Sequence, residues 1–436
     1  MERIAPITSK EQTHWSPYAT IIQHRPNAEL NNTMSLNRLA EQYVKLVLAV
    51  GHHDSSYIDA YYGPRAWQTD IVKQPLDSMI ADADQLLEQF ATLAPAQQNQ
   101  QLRQQFLFLQ LTAVRTHLLH LGGKRLSFDA ESLALYDAQS PPLAEADFDL
   151  ILAELDQLLP GKEYLNTRLS QYQRAFEIPK DRLDAVFTAA INEARARTKK
   201  YIPLPDEENF KVDYVTNQVW SAYNWYKGGS YSLIQVNTDF PMFISRAIDL
   251  ASHEGYPGHH VFNVLMEKHL VIEKGWMEYC VYPLYSPMSF LAEGSANYGI
   301  SVVFPEADRL LFEKEVLFPL AGIDPASADL YYLVQAILQK LSYAGNMVAK
   351  RYLDGEIDRD CAIRLLMKYS LSDEKRSTQR IGFIEKNRAY VINYNLGQDM
   401  VQAYVERRAK KGDEQLLWRV FTDLLLNPRS ASMMLD

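Results

Sequence analysis

The segment His253-Glu254-Gly255-Tyr256-Pro257-Gly258-His259-His260 constrains the fold more than any other stretch of the 436-residue chain. Upstream of it, residues 241–254 read as a helix. Thr238 or Asp239 caps that helix, Pro241 suits its first turn, and Phe243, Ala247, Ile248 and Ala251 form an apolar stripe. Proline cannot continue it, because the ring lacks an N–H and clashes with the preceding turn. The helix therefore breaks or bulges at Pro257-Gly258, and His259 and His260 resume on a displaced, rotated axis. Three of the ten histidines fall within these eight residues, which makes chance a poor account of the His253-Glu254 pair.

Histidines one helical turn apart, with a glutamate beside the first, are the residue types that a catalytic zinc requires. Such a site takes three protein ligands and keeps a fourth position open for water. A neighbouring carboxylate then accepts the proton of that water. The usual helical form is His-Glu-x-x-His, and this chain carries a modified version. In an unbroken helix His260 would share a face with His253 but lie about 10 Å along the axis, too far for shared ligation. With the break, either His259 or His260 completes the pair. Glu293, in Leu291-Ala292-Glu293-Gly294-Ser295-Ala296-Asn297-Tyr298, is the best third ligand. The small residues Ala292, Gly294 and Ala296 around it would let its helix approach the first closely.

The surrounding chain is mainly helical. From about Ser35, Leu39, Tyr43, Leu46 and Val47 recur at spacings of three and four, and further helices are predicted over 75–94, 98–121, 145–158 and 179–200. Pro141-Pro142 and Pro160-Gly161 separate them. Segments 210–216 and 230–237, rich in Val, Tyr, Ile and Thr, read as strands of a small sheet. The expected organisation is a poorly ordered segment 1–34, an N-terminal helical domain 35–178 and a second domain 179–436.

Bulk composition narrows the function classes. A net charge of -10 argues against nucleic acid as a partner, since phosphate binding relies on a clustered basic face. The apolar stretch from Tyr43 to Val50 is short and contains Lys45, so no membrane span is expected, and the N-terminus lacks a signal-peptide pattern. Two distant cysteines, Cys280 and Cys361, read as reduced thiols of a cytoplasmic protein.

His-Glu-x-x-Pro-Gly-His-His followed by Glu-Gly-x-Ala-x-Tyr resembles a zincin-like domain-of-unknown-function family placed with the gluzincin metallopeptidases. The second motif is met at Glu293-Gly294-Ser295-Ala296-Asn297-Tyr298, with Ser295 where the family usually has Trp. Tyr394-Asn395-Leu396-Gly397, with Arg388 upstream, is similar to the family's C-terminal Tyr-x-x-Gly segment. Asp59-Ala60-Tyr61-Tyr62-Gly63-Pro64, together with His53-Asp54, looks like a feature of one subgroup. The resemblance covers most of the chain from Met34 onward. It implies an α+β fold in which a helical bundle precedes a zincin-like catalytic domain with a small sheet. It also favours His259 as second ligand.

The expected site thus has His253, His259 and Glu293 on Zn2+, with Glu254 as general base. Tyr394 is the hydroxyl donor to a developing oxyanion, with Tyr390 and Arg388 as rivals, and His260 is left to support the site or touch substrate. The expected activity is zinc-dependent hydrolysis of short peptides. A peptide is predicted to add its backbone to the strand at 231–237, taken as an edge. Two other readings compete: a zinc hydrolase for another amide or ester, and a silent zincin fold used for binding. His52-His53-Asp54 reads as a capped turn, and His117 and His120 as structural histidines.

Overall fold

The structure is a computed structural model and describes residues 30–218 and 220–435. Most of the expected segment 1–34 lies outside the described residues. The first helix spans Leu30–Val50, so it starts before the apolar pattern does.

Helices dominate. Leu76–Thr92 buries Met79, Ala83, Leu86 and Phe90, one face at spacings of four, three and four. Gln98–Leu121 follows it, then Phe128–Tyr136, Glu145–Leu158, Leu165–Gln173 and Leu183–Lys199. The large apolar cluster includes Leu39, Tyr43 and Phe106 from these helices together with Tyr279, Phe290 and Trp418 from the later part of the chain. Within it, Arg103 is bidentate to Glu278, with bonds of 2.5 and 2.7 Å.

The described residues form five strands: β1 (Ile58–Tyr61), β2 (Asn209–Val215), β3 (Ala222–Gly228), β4 (Tyr231–Asn237) and β5 (Val281–Pro283). β1 pairs with β5, and the other three form a sheet in the order β2-β4-β3. β4 is therefore central, parallel to β2 and antiparallel to β3, and the expected free edge at 231–237 does not exist. The missed strand β3 covers it. Gly229 and Ser230, at φ +63 and +59, make the tight turn between β3 and β4.

The helix leading to the site starts later than its sequence pattern. Against the expected 241–254, it spans Ser245–Leu250 before a wider turn takes over. The preceding backbone is engaged elsewhere: Met242 O accepts from Ile178 N (2.8 Å) and Ile244 N donates to Phe176 O (2.9 Å). Cys280 and Cys361 are both free thiols. No helix among the described residues is long and apolar enough to cross a membrane.

Candidate metal centre

Ser245–Leu250 continues as one wider π-helical turn, Ala251–Gly255, which carries His253 and Glu254. The extra residue per turn rotates these side chains relative to a regular helix. The chain then leaves the helix at Tyr256, folds back at Pro257-Gly258 and restarts as the helix His259–Leu265. Gly258 N donates to Ser252 O at 2.9 Å, and a Cβ at Gly258 would collide with the His253 carbonyl. Only glycine fits so close an approach. The break thus brings His259 back beside His253, their rings perpendicular at 89°.

Glu293 comes from the helix Pro287–Val303, whose start is capped by the Ser286 hydroxyl. Gly294 does not face the His253 helix, as its small size suggested. A Cβ there would run into the backbone of Gly397, on the helix Ile392–Arg408. The two helices touch backbone to backbone at this glycine pair, and that contact places Tyr390 and Tyr394 near Glu293.

The donors form a compact triangle. His253 Nε2 lies 3.1 Å from His259 Nε2 and 3.4 Å from Glu293 Oε2, and His259 Nε2 lies 3.8 Å from Glu293 Oε2. Ligand bonds of about 2.0–2.1 Å in a tetrahedron require donor separations of roughly 3.3 Å. Glu293 Oε2 is buried and has no hydrogen-bond partner. An orphaned carboxylate oxygen facing two imidazole nitrogens is costly without a cation between them. These residues fit a divalent metal ion. Among the described residues they are the one group with this property.

The supporting contacts orient each ligand. Asn297 Nδ2 donates to Tyr394 O at 2.8 Å, which turns its Oδ1 toward His253 Nδ1 at 2.9 Å. His253 Nδ1–H donates there, and Nε2 presents its lone pair to the triangle. Tyr390 OH donates to Glu293 Oε1 at 2.8 Å, so this hydroxyl holds a candidate ligand. Arg388 is committed to Glu131 at 2.7 Å. Of the three oxyanion candidates, Tyr394 alone makes no bond to a carboxylate; its hydroxyl interacts with that of Tyr390, whose ring stands 5.7 Å away.

His260 points elsewhere and is fully buried. Its Nδ1 accepts from Ser232 Oγ at 2.8 Å and its Nε2 lies 3.2 Å from Glu208 Oε2. Tyr256 OH also donates to Glu208, at 2.7 Å. His117 pairs with Asp54 at 3.1 Å and stacks on Tyr57, and Asp54 also accepts from Ser56 in a turn.

Electrostatics separate the roles. Burial pushes the Glu254 carboxyl up to about 7; the neighbouring His253 opposes this and Glu293 adds to it. Burial lowers His259 to about 4, against the pull of Glu293, so its imidazole is neutral and its lone pair available. Burial first, then the charge of Glu293, raises Tyr394 well above the ordinary tyrosine range, so its hydroxyl keeps its proton.

Sequence reasoning assigned no role to Asn297 or Asn224. Asn297 lies four residues after Glu293, on the same helix face, so spacing alone marks it. Asn224 Nδ2 donates to Glu254 O at 2.6 Å from β3, a contact between distant segments that no local pattern signals.

No protein-family model and no curated protein match the chain. Among solved structures, it is similar to a Colwellia psychrerythraea protein described as a lipoprotein: 14% identity, 83% of this chain and 68% of that one, TM-score 0.50. The M32 carboxypeptidase of Deinococcus radiodurans R1 matches at 13% identity over 91% of this chain and 90% of that one, TM-score 0.45. Metallocarboxypeptidase 1 of Trypanosoma cruzi matches at 13% identity over 93% of each chain, TM-score 0.43. The likeness to the Colwellia protein is one of fold: mainly helical, with small sheets.

Proposed function

We propose that this chain is a zinc-dependent peptidase that hydrolyses short peptides. The observation that carries the reading is the convergence of His253 Nε2, His259 Nε2 and Glu293 Oε2, with Glu254 adjacent in the same π-turn. Two imidazoles and a carboxylate suit zinc, which when bound would supply Lewis acidity to a water and to the scissile carbonyl.

The chain's own residues do the rest. Glu254, held near neutrality by burial, takes a proton from the attacking water and delivers it to the leaving amine. Tyr394 donates its hydroxyl proton as a hydrogen bond to the oxyanion that develops on the substrate. Tyr390 and Asn297 keep Glu293 and His253 aimed while the charge moves.

Metal analysis of the purified protein, paired with mass-spectrometric readout of a peptide library, tests the proposal. We expect stoichiometric zinc and cleavage that stops with chelator and returns with zinc. A zinc-loaded protein that cuts no peptide bond overturns it.

A further inference from the structure

The segment Asp59-Ala60-Tyr61-Tyr62-Gly63-Pro64 has no part in the chemistry above, yet its first residue lies within electrostatic reach of Glu293 and Glu254. In the β1–β5 ladder, Ile58 pairs with Pro283 and Ala60 with Tyr282, and the register slips between them. Asp59 is the extra residue. Bulges of this kind redirect one side chain out of the strand alternation. The redirected carboxylate accepts a hydrogen bond from Tyr223 OH through Oδ1. Tyr223 sits on β3, beside the Asn224 that holds the Glu254 carbonyl. β5 runs into the helix of Glu293. Asp59 is thus pinned between the two elements that position the site.

Among the described residues no cation pairs with the Asp59 carboxyl; Lys227 lies over the Trp225 ring instead, 5.3 Å from its centroid. Burial, then the charges of Glu293 and Glu254, push its carboxyl up to about 8, and no positive group works against them. Asp59 also stands outside the metal-holding trio found among the described residues. A divalent ion would balance the charges of Glu293 and Glu254, so Asp59 would ionise only with a cation of its own beside it. Beside it, Tyr223 packs against Trp225 and Trp220, with ring centroids 4.5 and 5.8 Å apart. A carboxylate with no paired cation is the chemistry that receives an ammonium group.

We propose that Asp59 anchors the free α-ammonium group of the substrate, so that the centre acts near the N-terminus of unblocked peptides. This rests on the peptidase reading. Tyr223 fixes Oδ1 and leaves Oδ2 to accept from the ammonium.

The test compares one peptide with a free or an acetylated N-terminus, by calorimetry on zinc-loaded Glu254→Gln protein and by kcat/KM on the parent. The free amine should bind roughly 10- to 100-fold tighter. Asp59→Asn should remove that preference, and C-terminal amidation should leave binding unchanged. Equal dissociation constants, or no binding of either peptide, overturn the proposal. So does a preference for the free carboxylate, which would move recognition to Arg380, a half-buried guanidinium stacked 4.9 Å from the Phe383 ring. The two readings fail separately. Equal cleavage of both peptides removes the anchor and leaves the peptidase, whereas amine-selective binding to a parent that cuts nothing leaves the anchor and removes the peptidase.

Discussion

At the residue scale, two hydrogen bonds decide how the centre is aimed. The Asn297 side chain can satisfy Tyr394 O and His253 Nδ1 in one orientation only, so it selects the tautomer of His253. Asn297→Ala should weaken zinc binding by roughly 10- to 100-fold, read by competition with a chromogenic chelator. Unchanged affinity would mean that packing alone holds the imidazole. Glu254→Gln keeps size and polarity but removes the proposed base; zinc should remain stoichiometric while kcat falls by about 100-fold or more. Full turnover in that variant would reject the assignment. For Tyr394→Phe the expected loss is in kcat, about 100-fold, with zinc retained, and a parental rate would return the oxyanion role to another donor.

At the element scale, the site depends on places where backbone meets backbone. The π-turn Ala251–Gly255 and the tight reversal at Gly258 put His259 beside His253. The Gly294–Gly397 crossing lets the helix Pro287–Val303 and the helix Ile392–Arg408 come together, which lines up Glu293 with Tyr390. A methyl group at this crossing has nowhere to go. Gly397→Ala should destabilise the fold by about 1–3 kcal/mol in urea unfolding and should also reduce zinc affinity, because Glu293 and Tyr390 move apart. A stability loss with normal zinc affinity would show that the crossing packs the helices without aiming the ligand.

At the scale of the whole molecule, buried charge ties distant segments together. Arg103 and Glu278 join the N-terminal helices to the run that precedes β5. Glu208 does the same for β2 and the His259–Leu265 helix: burial alone would raise its pKa, but hydrogen bonds from His260, Tyr256 and Arg195 outweigh that and hold it at about 2. Its folded value is depressed, so its contribution to stability is present above the unfolded value of about 4.3 and is lost as pH falls toward 2. The urea midpoint of the parent should therefore drop steeply between about pH 5 and pH 2. Glu208→Gln, less stable at neutral pH, should show a shallower slope in that window. An identical slope would assign acid unfolding to other carboxylates.

The sequence by itself marked the residues that come together as the candidate metal site and required that the helix carrying His253 break. Proline, glycine and the clustered histidines express those constraints locally, through covalent geometry and residue type. Helix periodicity also located the long helices of the N-terminal half, because an apolar stripe reports burial whatever lies opposite. Tertiary structure decided the rest. Which imidazole faces Glu293 depended on Ser232 and Glu208 engaging His260 from elements 28 and 52 residues away. The loss of an edge at β4 depended on a partner strand whose own pattern is indistinct, and the start of the helix at Ser245 depended on bonds from Phe176 and Ile178. Each outcome is a contest between hydrogen-bond partners, and distant partners enter that contest only when the chain has closed upon itself.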